Sequence, residues 1–297
     1  MKKVGFVSIV GKTNAGKSTL LNLIMKKKVS IATSKPQTTR NSIQGIYNDV
    51  DSQIIFIDTP GIVKKHQKLD SYMNRQISFS LIDVDAMIIL IDAGEPFVEE
   101  RDAKLQDWFL KDVPTFVVFN KIDLTNVMLI KNLKEKYQQL FPNAKIMEIS
   151  CKDNFNIDSL INEIKKVLPE GENYYPEEIT SNHPLSFLVQ ELIREKILNF
   201  TDEEVPHCVA VKVDSMKKVN QTMQIEATIL VEKSTQKKIL IGKNGLMIKK
   251  IGIAARKDIE SIIGYKVNLN TFVRVEEKWR NSENCLNDLG YRLKDDE

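Results

Sequence analysis

Cysteine, histidine and tryptophan are scarce in this 297-residue chain, with three, three and two copies. Cys151, Cys208 and Cys285 lie far apart and are odd in number. No C-x-x-C pair occurs, so a disulfide framework is excluded and reduced thiols of a cytoplasmic protein are expected. The three histidines, His66, His183 and His207, are scattered, which speaks against a zinc site. No apolar stretch approaches the ~20 residues that span a bilayer. The opening MKKVGFVSIVGK has two lysines and an apolar run, Val4–Val10, but no small-residue cleavage site before a glycine loop. It reads as a buried strand and not as a leader.

A dominant charge is also missing. Lys and Arg number 43 against 40 Asp and Glu, for a net +3. Whole-chain charge therefore specifies no partner. One local absence is more informative: from Lys233 to Lys257 there are eight basic residues and no acidic one. That run is read either as a solvated helix face or as a nucleic-acid footprint. Hydrophobic content of 42% supplies a core for one large domain or two ordinary ones.

The first 168 residues alternate short apolar runs with amphipathic segments. Strands are expected at Val4–Val10, Ile54–Ile57, Met87–Ile91, Thr115–Phe119 and Ile146–Ile149. Helices are expected at Lys17–Lys26, Arg101–Leu110, Leu129–Leu140 and Ile157–Leu168. This order predicts an α/β domain, a mostly parallel sheet with helices on both faces and ligands at the carboxyl ends of its strands. LPEGENYYPEEITSNHP (Leu168–Pro184) has three prolines and no usable period, so it reads as a linker. The expected organisation is a domain over 1–170, a linker over 171–184 and a second domain over 185–297. The second reads as helix (Leu185–Asn199), strands (Cys208–Val213, Met223–Val231), two helical pieces around a glycine loop, strand (Lys266–Val275) and a last helix over Glu276–Leu289.

Gly11-Lys12-Thr13-Asn14-Ala15-Gly16-Lys17-Ser18 matches G-x-x-x-x-G-K-[ST] in full, with Thr19 next. Its glycines let backbone N–H groups wrap a polyphosphate, and the following helix points its positive end at the anion. Lys17 would reach the β- and γ-phosphates and Ser18 would hold Mg²⁺. Asp58-Thr59-Pro60-Gly61 follows a strand; Asp58 can hold the Mg²⁺ shell, and Gly61 can offer its N–H to the γ-phosphate. Asn120-Lys121-Ile122-Asp123 follows the expected strand Thr115–Phe119. The Asp123 carboxylate can accept from guanine N1–H and the 2-amino group, donors that adenine lacks. Ser150-Cys151-Lys152 can add backbone N–H groups for the guanine carbonyl.

These motifs, in this order, resemble the translation-factor-related class of P-loop GTPases over residues 4–168. The resemblance implies GTP hydrolysis and a switch between GTP and GDP states. It makes SKPQTTRNS the first switch, with Thr39 the expected Mg²⁺ ligand and Thr38 the alternative. Many small GTPases place glutamine after D-x-x-G; here that position is Ile62, which cannot polarise water. GTPases with a hydrophobic residue there include some that use K⁺, with asparagine at the position of Asn14. Slow intrinsic hydrolysis stimulated by K⁺ through Asn14 is the expectation, the alternative being that Asn14 is a plain loop residue.

A second glycine loop, Gly242-Lys243-Asn244-Gly245, lacks G-K-[ST] and lies between helical pieces after a hairpin. That order resembles a type II K-homology module, an α+β unit whose G-x-x-G clamps single-stranded nucleic acid. Ile241, Gly242, Lys243, Asn244 and Gly245 would form the clamp, with Lys238, Lys249 and Lys250 adding attraction. Together with QTTR in the switch, the two modules are similar to the Era family of bacterial GTPases over nearly the whole chain. Cys151, where that family often has alanine, and the loop residues Asn244 and Leu246 are small departures. The resemblance implies GTP and GDP as ligands and, as partner, the 3′ end of 16S rRNA in the precursor 30S subunit; a cytoplasmic protein is expected from its cysteines, and a monomer because nothing in the sequence suggests an obligate dimer. It also implies that GTP governs RNA binding and that RNA raises hydrolysis. The rival reading is a membrane-associated regulatory GTPase linked to cell-cycle control, touching the inner membrane face through a C-terminal helix with Trp279, Cys285, Leu286 and Leu289.

Overall fold

The computed structural model describes residues 1–62 and 66–292. Two compact units divide the chain. One comprises Met1–Ala32, Thr39–Val63 and Met73–Asn182; the other comprises Thr33–Thr38, Lys64–Tyr72 and His183–Glu297.

The first unit is built on a sheet of seven strands: β1 (Lys2–Gly11), β2 (Ile43–Asn48), β3 (Ser52–Asp58), β4 (Ala86–Asp92), β5 (Thr115–Asn120), β6 (Lys145–Glu148) and β7 (Glu170–Gly171). Their order is β2-β3-β1-β4-β5-β6, with β7 paired antiparallel to the start of β1. All other neighbours are parallel except β2, which runs antiparallel to β3. The helices are α1 (Lys17–Met25), α2 (Lys68–Phe79), through which the unit boundary passes, α3 (Glu99–Asp102), α4 (Val127–Leu140) and α5 (Ile157–Val167).

Strand residues alternate between two buried faces. Met87, Ile89, Ile91, Val117 and Phe119 join a cluster with Ile77, Leu133, Tyr137 and Phe141. The intervening Ile88, Leu90, Phe116 and Val118 are equally buried. A sheet covered on both faces explains why these strands read as continuous apolar runs. Each fully buried Ile or Val contributes about 1.5–3 kcal/mol relative to leaving it exposed.

Several expectations need correction. The helix expected at Arg101–Leu110 is α3 followed by a 3-10 turn over Ala103–Trp108. β2 and α2 were not expected at all. The 171–184 stretch lies along the first unit as far as Asn182. It is held there by Gln53 Nε2 donating to the Tyr175 carbonyl (2.8 Å), Tyr175 N donating to Gln53 Oε1 (2.9 Å) and Ile46 N donating to the Thr180 carbonyl (3.0 Å).

The second unit contains α6 (Leu185–Phe200), α7 (Val205–Cys208), β8 (Ala210–Val219), β9 (Thr222–Val231), α8 (Ser234–Ile241), α9 (Leu246–Ile263), β10 (Lys266–Val275) and α10 (Glu283–Asp288). The sheet order is β10-β9-β8, with β9 antiparallel to β8 and parallel to β10. α6 packs on α9 and β8, and α9 packs on β10. Ile251, Ala255 and Ile259 form the buried stripe of α9, at helical spacing.

The helix expected over Glu276–Leu289 is broken. Lys278 takes a left-handed conformation (φ 55°), Trp279–Asn281 form a 3-10 turn, and Ser282 caps α10 by accepting from Cys285 N. Trp279 is fully buried and donates its indole N–H to the Cys208 carbonyl at 2.8 Å. Leu286 and Leu289 are buried too, so the apolar side chains of this segment pack inside the protein. No helix among the described residues is long and apolar enough to cross a membrane.

Candidate functional site

The first site gathers at the carboxyl ends of β1, β3, β5 and β6, where open α/β sheets bind ligands. The loop between β1 and α1 needs its glycines. A Cβ on Gly11 would come within 2.4 Å of the Leu90 carbonyl oxygen. On Gly16 (φ 99°) it would come within 2.4 Å of Asn120 Nδ2. Gly61, at the end of D-T-P-G, approaches Thr13 so closely that a Cβ would sit 2.5 Å from Thr13 Cγ2. Asn14 is exposed with φ 63°, and Ala15 is buried. Thr19 is exposed on α1.

Lys17 is buried, and its Nζ donates to the carbonyls of Gly11 (2.9 Å) and Lys12 (2.7 Å). Burial lowers its pKa to about 8, with Asp58 pulling the other way. The ammonium is thus held in the loop it closes, where a polyphosphate would favour its charged form.

Ser18, Thr39 and Asp58 meet. Ser18 Oγ lies 2.8 Å from Thr39 Oγ1 and donates to Asp58 Oδ2 at 2.6 Å. Ser30, absent from the expected set, donates to the same oxygen at 3.0 Å. Asp58 is fully buried, which pushes its pKa up despite these bonds. Its Oδ1 has no hydrogen-bond partner among the described residues. A buried carboxylate oxygen without a partner, beside two hydroxyls, is an all-oxygen set suited to Mg²⁺. Thr38, the alternative, spends its hydroxyl on the Lys35 carbonyl (2.6 Å) and Thr33 Oγ1 (2.7 Å). Ile62 packs against the apolar cluster that contains Val10 and Ile89.

The base-reading loops are braced together. Asn120 is buried; its Nδ2 donates to the Ala15 carbonyl (2.9 Å) and its Oδ1 accepts from Cys151 N (3.1 Å). One side chain thus ties three motifs. Asp123 Oδ1 accepts from Ser150 Oγ at 2.8 Å, and Lys152 Nζ lies 3.5 Å from Oδ2. The Ser150 hydrogen bond is the main cause that holds the Asp123 carboxyl below its usual range, so it stays ionised as an acceptor. Lys121 (φ 64°) is paired with Asp92 Oδ2 at 2.5 Å. Asp92 was not expected in the site; its place at the end of β4 is the only signal the chain offers.

The second site lies in the second unit. α8 ends at Ile241, and the turn carries Gly242 (φ 71°), Asn244 (φ 52°) and Gly245 (φ 75°) into α9. A Cβ on Gly242 would press within 2.7 Å of Met247 Cβ, so this glycine is required by space as well as by φ. α9 begins with no acidic residue and no side-chain cap, leaving its positive end to an anion. Lys238, Lys243, Asn244, Lys249 and Lys250 are exposed, and Lys250 Nζ sits 4.2 Å above the Phe200 ring. Beside the turn runs a groove of about 280 Å³, with Ile248, Gly252, Ile253 and Arg256 of α9 facing Asn268 and Thr271 of β10. These wall residues were not anticipated. Ile253, 51% exposed and off the buried stripe of α9, is the signal that marks them.

Comparison with known proteins agrees with this geometry. Residues 6–121 match the family model described as 50S ribosome-binding GTPase, and residues 204–280 match the KH domain. The chain is 44% identical to GTPase Era of Lactobacillus delbrueckii subsp. bulgaricus over 99% of its own length and 97% of that protein's. It is also 44% identical to GTPase Era of Staphylococcus haemolyticus, covering 97% of each. A crystal structure of an Aquifex aeolicus Era point variant bound to GDP·AlF4⁻ superposes with a TM-score of 0.94 at 38% identity, covering 98% of this chain and 100% of that one. The crystal structure of Era in complex with MgGDPNP and nucleotides 1506–1542 of 16S ribosomal RNA gives 0.95 at 37%, covering 99% and 100%.

Proposed function

From the premise that the chain belongs to the Era family of GTPases and hydrolyses GTP, we propose that it is a cytoplasmic monomer that binds the 3′ end of 16S rRNA in a GTP-dependent way during assembly of the 30S subunit. The observation that carries the RNA part is the Gly242–Gly245 turn, set between the basic α8 and α9 beside an open groove. Era with a GTP analogue and 16S nucleotides, similar over 99% of this chain, supports the choice of RNA. Lys243 would neutralise phosphate, the N-terminus of α9 would receive another, and the groove would read unstacked bases.

In the nucleotide site, Asn120, Asp123, Ser150, Cys151 and Lys152 select guanine, and Gly11–Thr19 with Lys17 hold the phosphates. Ser18, Thr39 and Asp58 would hold Mg²⁺, which neutralises phosphate charge when bound. Gly61, pressed against Thr13, is placed to move with the nucleotide state. Anisotropy of a labelled single-stranded RNA of the 16S 3′ end tests the reading. Binding at least about tenfold tighter with a non-hydrolysable GTP analogue than with GDP is expected, a coupling of ordinary size. Equal binding with both nucleotides would refute GTP dependence.

Without a polarising side chain at Ile62 hydrolysis is slow, and K⁺ accelerates it through Asn14. At matched ionic strength the rate in K⁺ should exceed that in Na⁺ by about tenfold or more, a modest electrostatic contribution to the barrier. Equal rates would exclude K⁺ as the accelerator.

A further inference from the structure

Lys12, the second residue of the P-loop, does not extend into solvent. Its Nζ forms an ion pair with Asp102 Oδ1 at the end of α3. Asp102 is fully buried (0% exposed). Its Oδ2 accepts from Val98 N at 2.7 Å, and Arg101 Nη2 lies 3.5 Å from the same oxygen. Val98 precedes α3 and has no polar side chain to cap it, so the Asp102 carboxylate closes that turn from within. At its other end Lys12 offers its carbonyl to Lys17 Nζ at 2.7 Å. One carboxylate 90 residues along the chain is therefore joined through a single side chain to the residue on which the Lys17 ammonium rests.

A carboxylate with no access to water needs a partner of opposite charge. Asp102 therefore holds Lys12 firmly. The ion pair also takes the Lys12 charge out of the loop, leaving Lys17 as the ammonium directed inward. We propose that Asp102 is a positioning residue of the nucleotide site: acting through Lys12, it fixes the P-loop backbone in the form that receives a polyphosphate. The proposal rests on the reading of this loop as the nucleotide site. It adds a residue outside every nucleotide-binding motif.

Asp102→Asn isolates the effect. The amide oxygen still accepts from Val98 N and the volume is kept, while the ion pair is lost. Dissociation of a fluorescent GDP, and affinity for GDP and GTP, are the measurements, with melting temperature recorded for each variant. Loss of preorganisation should weaken both nucleotides about tenfold and speed dissociation to match. Turnover at saturating GTP should change less than about twofold, because the loop is ordered once nucleotide is bound. In a Lys12→Met background, Asp102→Asn should add less than about twofold, because the partner through which it acts is gone. Lys12→Arg keeps a cation for the pair, and Asp102→Asn in that background should again cost about tenfold relative to Lys12→Arg alone. Equal losses in the Met and Arg backgrounds, or no loss in the unaltered protein, would overturn the proposal. A Lys17→Ala variant that still binds GTP would instead overturn the nucleotide site itself, so the two failures are distinguishable.

Discussion

Replacing Asp123 with asparagine should weaken GTP binding by about 10³-fold and make xanthosine triphosphate the better ligand, an effect of the size seen when a buried polar match is broken. Ser150 Oγ donates to Asp123 Oδ1 at 2.8 Å. In the variant the amide oxygen keeps that bond, which turns the NH₂ group outward. There it meets the 2-amino group of guanine, donor against donor. Xanthine carries a carbonyl at that position and accepts. Titration of the variant with both nucleotides measures the exchange. GTP affinity within tenfold of the unaltered protein, or no gain for the xanthine nucleotide, would show that Asp123 does not read the base.

Lys243→Asp combined with Asn244→Asp should abolish RNA binding, weakening it by about 10² or more at moderate salt. Two carboxylates would replace a cation and a neutral side chain on the exposed tip of the turn. Asp and Asn both tolerate left-handed backbone, so the φ of 52° at Asn244 does not oppose the change. Anisotropy with single-stranded RNA reads the loss, and GTP affinity without RNA serves as the control for folding. Retained RNA binding would move the RNA site away from the Gly242–Gly245 turn.

The sequence announced the strand-end loops because their chemistry is contiguous. The P-loop carries its glycines and N-K-I-D its carboxylate within a few residues, D-T-P-G carries one of each, and every one follows a short apolar run that reads as a strand. What was illegible joins residues far apart. Asn120 reaches Ala15 across 105 positions, Lys121 meets Asp92 across 29, and Lys12 meets Asp102 across 90. No local pattern encodes such pairs; the sheet order brings them together.

The missed elements have local causes. β2 carries Gly45 at its centre, which reads as a break; the glycine is there because a Cβ would come within 2.7 Å of Leu21 Cδ1. α2 did carry a signal, with Leu69, Tyr72, Met73 and Ile77 at helical spacing and all buried. The segment from Glu276 to Leu289 is amphipathic enough to read as one helix. The Ser282 cap and the left-handed Lys278 divide it, and Trp279 turns into the protein to reach the Cys208 carbonyl.

In the proposed function one chain joins a GTP switch to a clamp for the 3′ end of 16S rRNA. Crosslinking to RNA in living cells tests it most directly, comparing the unaltered protein with the Lys243→Asp/Asn244→Asp variant. Crosslinks concentrated at the 16S 3′ end, and their loss in the variant, are the expected result. Crosslinks concentrated elsewhere, or unchanged in the variant, would contradict it.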